Sequence, residues 1–126
     1  MDALELLHII SDGENESVEF KRDLEMNREA NRDIGREMAA FANTRGGYII
    51  FGVEDDGAVV GVQSLTGFEE RIMNIASDII YPPIELRYES FHIKGKDIVL
   101  VEIPIGHSKP YYPRYIRRGT TKMQAT

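Results

Sequence analysis

The chain has no cysteine among its 126 residues. Disulfides and thiolate metal sites are therefore excluded, and an intracellular, cytoplasmic location is the simpler expectation. No apolar run approaches the length of a membrane-spanning helix. The opening MDALELLHIISDGENE begins with an acid and lacks a basic n-region, so no secretory signal is expected. No GxxxxGK[ST] segment occurs, which leaves a P-loop nucleotidase unsupported. His8, His92 and His107 are far apart and show no ligand spacing, and no Ser/His/Asp set is evident. There is no internal repeat, linker or low-complexity stretch.

What remains is a length suited to one domain, residues 1–126, with enough chain for a single core without staples. The last residues, Lys122-Met123-Gln124-Ala125-Thr126, carry no helix-ending or tail-like signal, so a domain taken from a longer polypeptide is expected. The net charge is -6, which by itself argues against a nucleic-acid binder. Its distribution argues otherwise. From Lys94 to Lys122 there are seven basic residues and two acids, a net +5, whereas residues 1–93 hold eight basic groups and nineteen acids, a net -11. Such a basic third on an acidic body can form a local anion-binding surface, or simply a solvated face.

The pattern of elements predicts an α/β (α+β) domain with about three helices. Leu4, Leu7, Ile9 and Ile10 give a short helix over 2–10, stopped by Ser11-Asp12-Gly13. Val18 and Phe20 alternate with Glu19 and Lys21, a half-buried strand over 17–21. Ile34, Met38 and Phe41 form the buried stripe of a helix over 28–42, which ends at Asn43-Thr44-Arg45-Gly46-Gly47. Tyr48 to Val53 reads as a central strand, and Asp56-Gly57 as a hairpin turn returning through 58–62. Phe68, Ile72, Ile75 and Ile79 give a helix over 66–80 that Pro82-Pro83 stops. Ile84, Leu86 and Tyr88 alternate with charged residues, and Lys94-Gly95-Lys96 turns the chain into a strand over 98–103. A last strand over 111–118 contains Pro113, which suits an edge position.

Several residues could carry chemistry. If the strands at 17–21 and 48–53 are neighbours, Glu14, Glu16 and Glu19 can approach Glu54, Asp55 and Asp56. Two or three converging carboxylates suit Mg²⁺ or Mn²⁺ and metal-assisted phosphodiester cleavage, with Lys21 steadying developing charge. Solvated loop acids are the alternative. The Gly46-Gly47 turn could bring backbone amides to a phosphate or could be only a tight turn. Arg114, Arg117, Arg118, Thr120 and Lys122 combine guanidiniums, an ammonium and a hydroxyl suited to phosphate oxygens, with Tyr111, Tyr112 or Tyr115 available for stacking. The alternative there is an edge strand protected by charge. Asn43 and Thr44 could touch a ligand or cap the helix.

Taken together, Glu14-x-x-x-x-Glu19-Phe20-Lys21, Ala40-Phe41-Ala42-Asn43-Thr44-x-Gly46-Gly47, Ile50-Phe51-Gly52-Val53-x-Asp55-x-Gly57 and Tyr115-Ile116-Arg117-x-Gly119-Thr120-Thr121 resemble the Schlafen/AlbA-like DNA-binding domain family. The serine usual after the first glutamate is Asn15 here. The resemblance covers nearly the whole chain. It implies a compact domain with a mixed, largely antiparallel sheet, within bacterial or archaeal transcriptional regulators. A homodimer, a nucleic-acid partner (DNA or RNA) and no membrane are implied with it. Binding would use Thr44, Arg45, Gly46, Arg114, Arg117, Arg118, Thr120 and Lys122, with no cofactor. In the Schlafen branch the resemblance instead implies a Mg²⁺- or Mn²⁺-dependent ribonuclease. Its metal ligands would be Glu14, Glu19 and Asp55, with Lys21 nearby.

Overall fold

The first two helices each begin where a short polar side chain satisfies a free amide. In the computed structural model, which describes residues 1–114, α1 spans Ala3–Asp12. Asp2 and Glu5 form a reciprocal cap there: Glu5 N donates to Asp2 Oδ1 at 2.8 Å and Asp2 N to Glu5 Oε1 at 3.1 Å. Helix α2, Arg28–Asn43, starts on Asn27, whose Oδ1 accepts from Ala30 N at 2.8 Å. Its buried residues include Ile34, Met38 and Phe41, the stripe that the periodicity predicts.

Strands β1 (Val18–Lys21), β2 (Gly47–Phe51), β4 (Arg87–Ile93) and β5 (Lys96–Ile103) form a four-stranded sheet in the order β1-β2-β5-β4. Only the β1–β2 pair is parallel, with Glu19 opposite Ile49 and Lys21 opposite Phe51. The other pairs are antiparallel. The sheet is therefore mixed and mostly antiparallel, as expected. Two-residue strands β3 (Ile80–Tyr81) and β6 (Tyr112–Pro113) make a separate small ribbon.

Alternation along the strands divides the core in two. Val18, Phe20, Ile50, Ile98 and Leu100 pack under α1 against Leu6 and Ile10. Ile49, Phe51, Val99, Val101 and Ile103 pack on the opposite face against α2 and α3 (Phe68–Asn74). The central strand is apolar at every position from 48 to 51 because both of its faces are covered. Ile49, Ile50 and Phe51 are fully buried, each stabilising the fold by about 1.5–3 kcal/mol.

Three expectations need adjustment. The helix over 66–80 is α-helical only to Asn74, then widens into a π-helical turn over Ile75–Ile79 before β3. Its apolar spacing survives the widening because Ile79, at the end of the turn, still packs against the core that Phe68, Ile72 and Ile75 enter. The segment 58–62 is not a strand, since only Val53 and Val59 form a bridge. Beyond it, the amides of Val60 and Gly61 both donate to Gly52 O at 2.9 Å, and Val62 N turns away to Asp97 O. The alternation of Ile84, Leu86 and Tyr88 only partly enters a strand: β4 runs over 87–93, where Phe91 and Ile93 reach the α1 side.

Candidate acid pocket and nucleic-acid interface

Strand β1 is an edge strand, and its alternation sends Glu19 and Lys21 to the α2 side while Val18 and Phe20 enter the core under α1. Lys21 Nζ meets Glu37 Oε2 of α2 at 2.7 Å, with both side chains about three-quarters buried. Glu14, in the loop before β1, accepts the Phe20 amide at 2.7 Å. Its carboxylate so closes part of the strand's free edge. Four charged groups therefore gather here: Glu14, Glu19, Lys21 and Glu37. The Glu19 carboxyl is held above its usual value of 4.5, chiefly by burial, then by Glu37 and Glu14; Lys21 pulls the other way. Glu37 Oε1 is buried and has no hydrogen-bond partner among the described residues.

Glu37 escapes sequence reasoning because it looks like one more charge on an amphipathic helix. A signal was present: it lies three residues after Ile34 and four before Phe41, on the stripe that faces inward. Asp55 is exposed in the turn after β2 and has no hydrogen bond or ion pair among the described residues. Neighbouring Glu54 pairs with Arg22 at 3.4 Å.

The 44–47 turn is built for packing. A Cβ on Gly46 would stand 2.7 Å from Ile103 O, and one on Gly47 would stand 2.5 Å from the Phe41 ring. The Gly46 amide donates to Phe41 O at 2.8 Å and the Tyr48 amide to Ser17 O at 2.8 Å. Thr44 Oγ1 turns back to Ala40 O at 2.9 Å. Arg45, exposed, pairs with Glu16 at 3.3 Å. Asn43 is neither a simple cap nor a free contact. Its Nδ2 donates to Tyr111 O at 2.8 Å and its Oδ1 accepts from Tyr111 N at 2.7 Å, a clamp spanning 68 residues of sequence.

That clamp sets the third feature, the corner where β6 meets β3. Tyr111 is buried, with its hydroxyl accepting from the amides of His107 and Ser108 at 3.2 and 3.1 Å, so it supports the corner and is not open for stacking. Tyr112 lies opposite Tyr81, ring centroids 6.1 Å apart. Arg114, partly buried, has its guanidinium carbon 5.7 Å from the Tyr81 ring centroid. Tyr115, Arg117, Arg118, Thr120 and Lys122 lie outside the described residues.

Residues 14–126 match the family described as Schlafen, AlbA_2. The chain belongs to that family. A curated relative, the uncharacterized ATP-binding protein UU034 of Ureaplasma parvum serovar 3, is 34% identical over 104 residues. These cover 74% of this chain but 28% of that protein, so the chain spans little more than a quarter of the relative's length. Among solved structures, the N-terminal domain of a RecG-related protein from Nitrosomonas europaea superposes with a TM-score of 0.68 at 19% identity, covering 100% of this chain and 94% of that one. The DIP2311 protein of Corynebacterium diphtheriae gives 0.60 at 17% identity, over 98% of this chain and 29% of its own. Both show the fold.

Placed on this Schlafen AlbA_2 domain, the motif acids Glu14 and Glu19 are brought together with Lys21. Asp55 is not placed in that group, and Glu37 of α2 completes it. Among the described residues no three acids or histidines are arranged to hold a metal ion. As arranged, Lys21 is taken up by Glu37 and one Glu14 oxygen by the Phe20 amide. No helix among the described residues is long and apolar enough to cross a membrane.

Proposed function

We propose that this chain is a single nucleic-acid-binding domain of a cytoplasmic transcriptional regulator that acts as a homodimer. The observation that carries the reading is the segregation of charge: a net +5 from Lys94 to Lys122 on a chain whose total is -6. Membership of the Schlafen AlbA_2 family supports it, as does likeness to the N-terminal domain of a RecG-related protein. The relatives' greater length fits a domain that works within a larger protein. Binding is led by Arg114, Arg117, Arg118 and Lys122 on the phosphate backbone. Arg45, held by Glu16, contributes only if that exposed pair opens. Little base selectivity and a strong salt dependence follow from contacts of this kind.

Fluorescence anisotropy with the 126-residue chain tests this directly. Affinity for labelled DNA or RNA is expected at low salt, and it should fall steeply in the Arg117→Ala, Arg118→Ala double variant. No binding at low salt, or binding indifferent to both substitutions, would overturn the proposal.

The meeting of Glu14, Glu19 and Lys21 keeps a second reading in view, a metal-dependent ribonuclease. Incubation with structured RNA and Mn²⁺ separates the two. Cleavage by the native chain that Glu19→Gln abolishes would replace the binding role with an enzymatic one.

A further inference from the structure

We propose that Tyr81, Tyr112 and Arg114 form a stacking platform for the unpaired bases of a single-stranded nucleic acid. The inference rests on the nucleic-acid-binding reading and adds to it a subsite and a substrate form.

The ribbon of β3 and β6 has an inward and an outward face. Ile80 is fully buried, so its neighbour Tyr81 points away from the core and remains 41% exposed. Tyr112, directly across the ladder from Tyr81, shares that outward face. Tyr81 is exposed and Tyr112 half-buried, so neither ring is spent wholly on the core. Their support, by contrast, is firm: the Arg114 amide donates to Ile79 O, Asn43 grips Tyr111 by both backbone groups, and the Tyr111 ring fills the space that a side chain at position 106 would need. The rings meet at 61°, and the Arg114 guanidinium lies over Tyr81.

Every base has a π-face, so an exposed ring accepts one without demanding a sequence, and a guanidinium beside it meets the phosphate or stacks in turn. Paired bases in a duplex offer no such face to a protein ring. In the sequence, Arg117, Arg118 and Lys122 follow Arg114.

The test compares oligothymidylate, oligouridylate and duplex DNA by anisotropy, using the 126-residue chain. Tyr81→Ala should weaken binding of unpaired strands about tenfold and leave duplex affinity unchanged. Tyr81→Phe should keep native affinity, because stacking needs the ring and not the hydroxyl. Loss with both single strands places the contact on the bases; loss with one alone assigns the platform to DNA or to RNA. Tyr81→Ala protein that is folded by circular dichroism yet binds single strands like the native chain would overturn the platform. So would equal weakening toward single strands and duplex. If the native chain binds none of the probes, the nucleic-acid-binding reading is overturned and the platform with it.

Discussion

The acid pocket beside β1 and the aromatic corner at β3–β6 hold the two most unusual groups of side chains, and they are organised in opposite ways. In the pocket, polar groups answer one another: Lys21 is on Glu37 and Glu14 is on the Phe20 amide. At the corner the supporting groups are paired internally, while the rings they support face outward. A charged cluster is thus not necessarily the surface that meets a charged partner. Availability depends on what already occupies the donors and acceptors: the pocket's free oxygen, Glu37 Oε1, is buried, whereas Tyr81 at the corner is exposed.

The largest expected effect removes both regions at once. Gly47→Ala would place a Cβ 2.5 Å from the Phe41 ring and 2.8 Å from Ser17 O, between α2 and β1. A loss of about 3 kcal/mol or more in chemical denaturation is expected, with failure to fold as its extreme form. Asn43→Ala should separate the two regions. It leaves the Tyr111 amide and carbonyl without partners, at a cost of about 2 kcal/mol, and should loosen the corner while sparing the pocket. Hydrogen exchange concentrated at residues 106–114 would show it.

Smaller effects sharpen the pocket side. Lys21→Met removes the ammonium paired with Glu37 and should cost about 1–2 kcal/mol at neutral pH. Glu19→Gln should act in the opposite direction. Because folding raises the Glu19 carboxyl above 4.5, its contribution is favourable below that value and is lost as pH rises through the folded-state pKa. A glutamine does not ionise, so the variant should gain stability relative to the native chain as pH rises through that pKa. The difference should vanish in acid. A variant whose relative melting temperature did not rise with pH would contradict this account of the pocket.

Most of the fold was legible because alternation and helical spacing report burial directly. Val18 and Phe20, the run from Tyr48 to Phe51, and the Ile34–Met38–Phe41 stripe all lie where their patterns place them. Spacing alone could not reveal the π-helical turn at 75–79, since inserting a residue there kept the same apolar side chains inward. Asp56-Gly57 signals a turn correctly, but a turn does not oblige its second arm to pair. Here Gly52 O attracts both following amides and ends the ladder. The site was less legible than the fold. Asn43 looked like a local cap because its partner, Tyr111, is remote in sequence. Tyr81 looked like the end of a helix before Pro82-Pro83, and only the ribbon's register turns it outward beside Tyr112.

The central claim is that the basic last third of the chain binds nucleic-acid phosphates, and the most direct test is affinity for a single-stranded oligonucleotide across a salt series. The logarithm of the association constant should fall linearly with the logarithm of salt concentration. Arg117→Ala with Arg118→Ala should make that slope shallower by about 1.4, the expectation for two lost phosphate contacts on a single strand. A slope near zero in the native chain, or one that both substitutions leave unchanged, would contradict the account.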